Sequence, residues 1–313
     1  MLRGMDTPPP LNLACLPPTI GVAEFDVLHD HLPAWQAAIT ALAATLSLQP
    51  VQQMDAGTVL VALLGDTQVI KLYPPFLRDH FDFERAALRQ LGNRLSVPTP
   101  VLLRSGEQGG WPWLLMTQLH GEPLTAHWPQ LDEAAKCRLL QHLGALMAEV
   151  HAQPVGAVAL QAPAWGDFIA GQLQRCAARQ QRTGLPGHLL AQLPAFLDGP
   201  LPRSPDVILT GEYTPMNLLV QGGRLAGMYD FGDGLVGPRE YDWLGPLCFY
   251  CAGHAGRLQA FFGGYGARPD AAARLALLRL MLLHRYSNLK AQLALPGWQQ
   301  APSFEALAAL LWP

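Results

Sequence analysis

Lysine is scarce in this chain. Three of its 21 basic residues are lysine, Lys71, Lys136 and Lys290, and the other 18 are arginine. Charge of either sign is thin, at 14% of residues, while half of the 313 residues are hydrophobic. That balance excludes an intrinsically disordered chain, which needs low hydrophobicity and high net charge. A formal net charge of -3 offers no basic excess, so attraction to nucleic acid or to an anionic membrane is not expected. Long apolar runs are missing too: the richest late stretch, 271–283, is interrupted by Arg274 and Arg279. No secretory leader is expected, because Pro8, Pro9 and Pro10 stand where its apolar core would lie. Five cysteines do not make a disulfide scaffold in a chain of this length. Cys248-Phe-Tyr-Cys251 has no second pair, and its flanks read as a buried helix instead of a redox or metal site. The expected compartment is a reducing cytoplasm. Glycine and proline show no period, and no repeat of solenoid spacing is visible, which excludes collagen-like and repeat architectures.

The hydrophobic period changes along the chain. Residues 23–48 read as helix, 51–54 as a short extended piece and 55–57 as a turn. Residues 58–64 and 67–72 alternate as strands about Gly65-Asp66, which makes an antiparallel meander ending at Pro74-Pro75. Residues 78–91 form a helix carrying Glu84, and 101–104 and 113–117 are strands around Gly109-Gly110. Beyond Leu119 the pattern turns helical, over 131–152, 165–181, 189–197 and much of 242–312. It is broken by an extended piece, a loop and a strand over 206–220, a turn at 222–224 and a strand over 225–229. The expected class is α+β with two lobes. Residues 1–118 make a small antiparallel β-sheet lobe with one inserted helix, and 119–313 a larger, mainly helical lobe.

Two places carry chemistry. Residues 218–221 and 225–229 flank Gly222-Gly223-Arg224 and should pair antiparallel, which brings Asn217 next to Tyr229 and Asp230 at the open end. Glu212 enters that end and Asp233 leaves it. Carboxylates and an amide converging there suit Mg2+, a hard cation that takes oxygen ligands and shares them with phosphate. The same residues would also serve as capping groups of a polar hairpin end. The second place is Lys71, in the strand segment Val69-Ile70-Lys71, with Glu84 on the next helix. A strand lysine of this kind is often an edge or snorkelling residue. Paired with a helix glutamate, it can instead hold its ammonium toward a phosphate.

With these residues in place, the chain resembles the kinase-like family of aminoglycoside phosphotransferases and choline kinases, from about Val51 to Leu247. Val69-Ile70-Lys71 is similar to that family's strand-lysine motif, and Glu84 to its helix partner. Leu114 to Gln118, followed by Leu119-His120-Gly121-Glu122-Pro123-Leu124, resembles the segment joining the lobes. Leu146 to His151 resembles a helix ending in Leu-His, whose histidine reads as structural. Thr210-Gly211-Glu212, with Asn217 five residues on, resembles the catalytic loop His-Gly-Asp-x-x-x-x-Asn, and Asp230 the metal-binding aspartate. The resemblance implies a bilobal protein-kinase-like fold and phosphoryl transfer from ATP or GTP, with Mg2+, to a hydroxylated small molecule. It implies Glu212, Asn217 and Asp230 as catalytic, with Asn217 and Asp230 on the metal. It implies Lys71, Glu84, Gly57, Thr58, Met116, Gln118 and Leu119 for the nucleotide, and Asp233, Tyr213, Asp242 and Trp243 for the acceptor.

The chain departs from the family pattern in ways that bear on activity. Glutamate stands where the family has its catalytic aspartate, threonine replaces the histidine, and no Gly-rich loop precedes Lys71. Glu212 keeps a carboxylate of similar acidity but adds a methylene. A nucleotide-binding pseudokinase that scaffolds a partner is therefore the alternative expectation, and transfer of an adenylyl group a third. The motifs do not choose among acceptors. Acidic residues would suit a polyamine antibiotic, with a resistance role, and aromatics a quaternary ammonium.

Overall fold

The computed structural model describes residues 16–29, 32–56, 58–211, 213–267 and 269–313. The chain divides into two compact units: the residues up to 89 with 100–119, and residues 90–99 with 120–313.

In the first unit, helices α1 (Val22–His29) and α2 (Leu32–Thr45) precede strands β1 (Val51–Ala56), β2 (Leu60–Leu64) and β3 (Gln68–Leu72). Helix α3 (Arg78–Leu91) follows, then β4 (Leu102–Gln108) and β5 (Trp111–Thr117). The five strands form one antiparallel sheet in the order β1-β2-β3-β5-β4. Along β2, Leu60, Ala62 and Leu64 point to the core, as the two-residue period of a strand requires. The helices contribute Phe25 and Trp35, whose rings meet Trp111 of β5 at 6.2 and 5.4 Å. The Trp111 indole is satisfied by the Pro17 carbonyl, 2.6 Å away.

Three readings need correcting here. The single helix expected over 23–48 is two helices, since Pro33 has no N–H to give to a preceding turn and is accommodated only where a helix begins. The turn expected at 55–57 lies later: β1 runs through Ala56, which pairs with Leu60. Strands β4 and β5 are longer than expected. Gly109 and Gly110, both at positive φ, make the whole reversal, so pairing reaches Gln108 and Trp111.

The second unit begins with β6 (Glu122–Pro123), α4 (Leu124–His127), α5 (Glu133–His151), α6 (Trp165–Arg182) and α7 (Gly187–Leu197). Strands β7 (Asp206–Leu209), β8 (Leu218–Gln221), β9 (Arg224–Met228) and β10 (Leu235–Pro238) come next. Helices α8 (Glu240–Phe249), α9 (Ala255–Tyr265), α10 (Ala271–Leu283), α11 (Leu289–Gln292) and α12 (Phe304–Leu311) complete it. Helix α5 starts where Asp132 accepts the Ala135 N–H at 2.7 Å, one of the orphan donors of a helix end. It packs against α9 with backbones in contact: a methyl on Gly144 would overlap the Phe261 carbonyl, and one on Gly264 the Gln141 carbonyl. Strand β10 was not expected; it carries Gly237 and Pro238, and it pairs with β7. Residues 90–99 group with this unit and not, as a boundary at 118 implied, with the first. Ser96 N–H donates to Glu149 at 2.7 Å, and the Pro98 carbonyl accepts Met228 N–H at 3.0 Å. Cys248 and Cys251 are buried and unbridged. Burial pushes the Cys248 thiol up to about 12 and that of Cys251 higher still, so neither offers a thiolate. Among the described residues no helix is long and apolar enough to cross a membrane.

Candidate active site

Lys71 lies on β3, paired across the sheet with Val61 and Leu114. It is only 7% exposed. Its ammonium donates to both oxygens of Glu84, at 2.9 and 2.8 Å, and Glu84 is 1% exposed. Glu84 reaches it because α3 packs its apolar face, Phe81, Ala87 and Leu88, into the core and carries Glu84 along with it. The Tyr73 hydroxyl donates a third hydrogen bond to Glu84. Tyr73 stands two residues after Lys71, hence on the same side of the extended chain, a period-two signal that the sequence already held. Of the other expected nucleotide contacts, Thr58 is exposed at the β1–β2 turn, and Gly57 lies outside the described residues. Met116 is buried and paired with Val69. Gln118 N–H donates to the Thr67 carbonyl at 2.8 Å, and Leu119 follows it.

The second cluster is built on the β8–β9 hairpin. Its register, Leu218 with Met228, brings the residues beyond each strand together, and Tyr229 N–H donates to the Asn217 carbonyl at 3.1 Å. The Tyr229 hydroxyl reaches back to the Met216 carbonyl at 2.7 Å. Asp230 has φ +70°, a left-handed conformation that non-glycine residues seldom adopt. Strain of that kind is kept where the surroundings over-determine it, and it concentrates at functional sites. Asn217 and Asp230 are thus gathered at one hairpin end. An amide and a carboxylate oxygen are a donor set that fits a hard divalent cation sharing its shell with phosphate. Glu212 lies outside the described residues. Asp233, the other carboxylate expected there, is engaged elsewhere. It accepts from Arg285 Nη1 at 3.1 Å and from the Tyr286 hydroxyl at 2.9 Å. Among the described residues no group of three or more His, Cys, Asp or Glu side chains is arranged to hold a metal.

The segment entering Glu212 is held from beneath by Asp242. One oxygen accepts Gly211 N–H at 2.8 Å, and the other accepts Thr210 N–H at 3.0 Å and His151 Nε2–H at 3.1 Å. His151 closes α5, and its Nδ1 lies 2.8 Å from the Tyr265 hydroxyl of α9. Gly211 is required twice over. Its φ is +73°, and a methyl there would press on the Asp233 carbonyl. This geometry corrects the acceptor-binding expectation at three residues. Asp242 is 2% exposed and spends both oxygens inside the protein. Trp243 is buried between Phe262 and Tyr265, with ring centroids at 5.2 Å from each. Tyr213 is 1% exposed, and burial pushes its phenol well above the ordinary range. Their sequence position beside the loop suggested a pocket wall; they form the packing under it.

Comparison with known proteins bears on the family and the fold. The model of the phosphotransferase enzyme family (APH) matches residues 47–278. No match was found among curated proteins. Among solved structures, the chain is similar to the aminoglycoside phosphotransferase APH(2")-IIa in its ternary complex with streptomycin and ATP. That likeness has a TM-score of 0.60 at 17% identity, covering 81% of this chain and 91% of that one. It is also similar to aminoglycoside 2'-phosphotransferase-IIIa in its GDP complex, with a TM-score of 0.62 at 19% identity over 82% and 87%. A macrolide 2'-phosphotransferase from Brachybacterium faecium gives a TM-score of 0.59 at 20% identity over 88% and 98%. At such identities the structures speak to the fold, which is protein-kinase-like. The family match spans most of the chain, and so the chain belongs to the phosphotransferase enzyme family, whose members move a phosphoryl group onto an alcohol.

Proposed function

We propose that this protein transfers the γ-phosphoryl group of ATP or GTP to a hydroxyl of a small molecule, with Glu212 in the place of the usual catalytic aspartate. The observation that carries the reading is Lys71. A buried ion pair contributes little net stability, because desolvating both charges offsets their attraction. The only lysine in the first 130 residues is nonetheless buried against Glu84. That arrangement is costly as structure and useful as a fixed ammonium for phosphate oxygens. Glu84, held by Tyr73, keeps the lysine aimed. The neighbours solved with ATP and with GDP support a nucleoside triphosphate donor without choosing its base.

Asn217 and Asp230 would hold Mg2+, which supplies charge neutralisation at the phosphates when bound. The protein's own part is positioning. Glu212 orients the acceptor hydroxyl and takes its proton as the oxygen attacks the γ-phosphorus; the bond to the bridging oxygen breaks and the nucleoside diphosphate leaves. Asp242, itself held by His151, fixes the backbone at Thr210 and Gly211. Thr58, Met116, Gln118 and Leu119 are proposed to line the nucleotide.

The test is nucleoside diphosphate release by the purified full chain with Mg2+, ATP or GTP and a panel of hydroxylated acceptors. Melting temperature is followed alongside, since a ligand bound only by the folded state raises it. Turnover is expected to fall about a thousandfold in Asp230→Ala and about a hundredfold in Lys71→Ala. Unchanged turnover in Asp230→Ala would reject the assignment.

A further inference from the structure

The second unit contains an arginine pocket that the proposed chemistry does not use. A cavity of about 430 Å3 is lined by Arg175, Arg179 and Arg182 of α6, by Arg285 just beyond α10, and by Gln172 and Gln174. The three helix arginines recur at i, i+4 and i+7, one face of α6, where like charges oppose one another. Among the described residues no carboxylate lies within 4.0 Å of Arg175, Arg179 or Arg182.

Arg179 is the base of the pocket. It is 8% exposed and has only neutral partners: Gln172 Oε1 at 2.8 Å and the Leu282 and Leu283 carbonyls at 3.2 Å. Its Nε is buried and has no hydrogen-bond partner among the described residues. Burial is the chief cause that pushes the guanidinium below its ordinary range, and the neighbouring Arg175 and Arg182 add to it less than Cys176 and Tyr241 oppose it. Arg285 is placed differently. It stacks over Phe168 at 5.1 Å and is tied through Nη1 to Asp233, three residues past Asp230.

We propose that this pocket binds the carboxylate or phosphate group of a small anionic molecule. Guanidinium forks match both groups bidentately, and the glutamine amides add neutral donors. The volume is that of a small-ligand site. A chain of net charge -3 does not attract a long polyanion. Because Arg285 serves both the pocket and Asp233, an incoming anion competes with Asp233 for that guanidinium. Occupancy is thereby read at the loop that follows Asp230. The site stands on its own geometry and does not require the phosphotransfer reading to be correct.

Arg175 and Arg182 are exposed, so Arg175→Gln with Arg182→Gln leaves the core untouched. Calorimetric titration and melting curves with inorganic phosphate, at ionic strength matched with sodium chloride, are the first readout. The native chain should bind phosphate and gain melting temperature, and the double variant should bind it at least about tenfold more weakly, as one lost charge-assisted pair implies. The Mg2+-ATP shift should be the same in both chains, which separates this result from the fate of the nucleotide site. Nucleoside diphosphate release with glycerate or glycerol 3-phosphate, lost in the double variant, would assign the pocket to the acceptor's own anionic group. Phosphate binding without such turnover would assign it to a free anion. No phosphate effect beyond that of sodium chloride, or an equal effect in the double variant, overturns the proposal.

Discussion

Replacing Asp242 by asparagine removes one of the two carboxylate oxygens that hold Thr210, Gly211 and His151. At least one donor then loses its acceptor, which costs about 1–3 kcal/mol. The functional loss should be larger than that of a neutral surface change, because a displacement of about 1 Å at a catalytic loop lowers rates about a hundredfold. We expect Asp242→Asn to lower kcat about a hundredfold while leaving KM for the nucleotide nearly unchanged. Equal change in both would mean that Asp242 does not position the loop. This residue also marks the limit of reading side chains from sequence. Lys71 and Glu84 were legible because a strand amine and a helix carboxylate at that separation have a chemical reason to meet. Asp242 was expected to touch the acceptor. Its partners are backbone N–H groups 31 and 32 residues earlier, and no local pattern announces them. The arginines of α6 carried no expectation, because only the turn after α10 closes them into a pocket.

At the scale of elements, regular local periods were read well and irregular ones were not. Helix α3 has the bounds expected from its apolar spacing, and the β8–β9 hairpin pairs Leu218 with Met228 as expected, although a bulge after Leu219 shortens the turn expected at 222–224 and brings Arg224 into the strand opposite Gln221. Strand β10 was missed because its four residues carry glycine and proline, and its pairing with β7 is a long-range fact. The α5–α9 contact is likewise invisible in either helix alone. Gly264 faces the Gln141 carbonyl, whereas its neighbour Gly263 has open space around it. Gly264→Ala is therefore expected to destabilise the chain by about 1–3 kcal/mol through overpacking. Gly263→Ala should be neutral or stabilising by up to about 1 kcal/mol through helix propensity. Urea unfolding of the two variants checks this. If Gly264→Ala proved as stable as Gly263→Ala, the helices would not be in backbone contact.

For the molecule as a whole, His284 sets a dependence on acid. Its ring stacks on Tyr241 at 4.8 Å, and Nδ1 accepts the Tyr286 N–H at 3.3 Å. Burial, then the charges of Arg285 and Arg179, lower its pKa to about 3. The unfolded chain protonates the same ring near pH 6.5. Below that pH the unfolded state binds the extra proton, so stability falls from about pH 6.5 toward pH 3, by about 2 kcal/mol at pH 5. His284→Phe keeps the stack and should lose about 2 kcal/mol less between pH 7 and pH 5 in urea titrations. Equal losses would mean the ring already takes its proton in the folded state.

The allocation of residues 90–99 to the second unit bears on how the chain is made. The polypeptide changes unit at 89, at 99 and again at 119. During synthesis Ser96 and Pro98 emerge long before Glu149 and Met228, which supply their hydrogen bonds. A chain synthesised only as far as residue 119 thus includes a ten-residue segment whose partners Glu149 and Met228 have yet to emerge. A truncation at residue 119 would carry that segment away from the unit it completes, so neither unit can be cut out of this gene as one uninterrupted stretch.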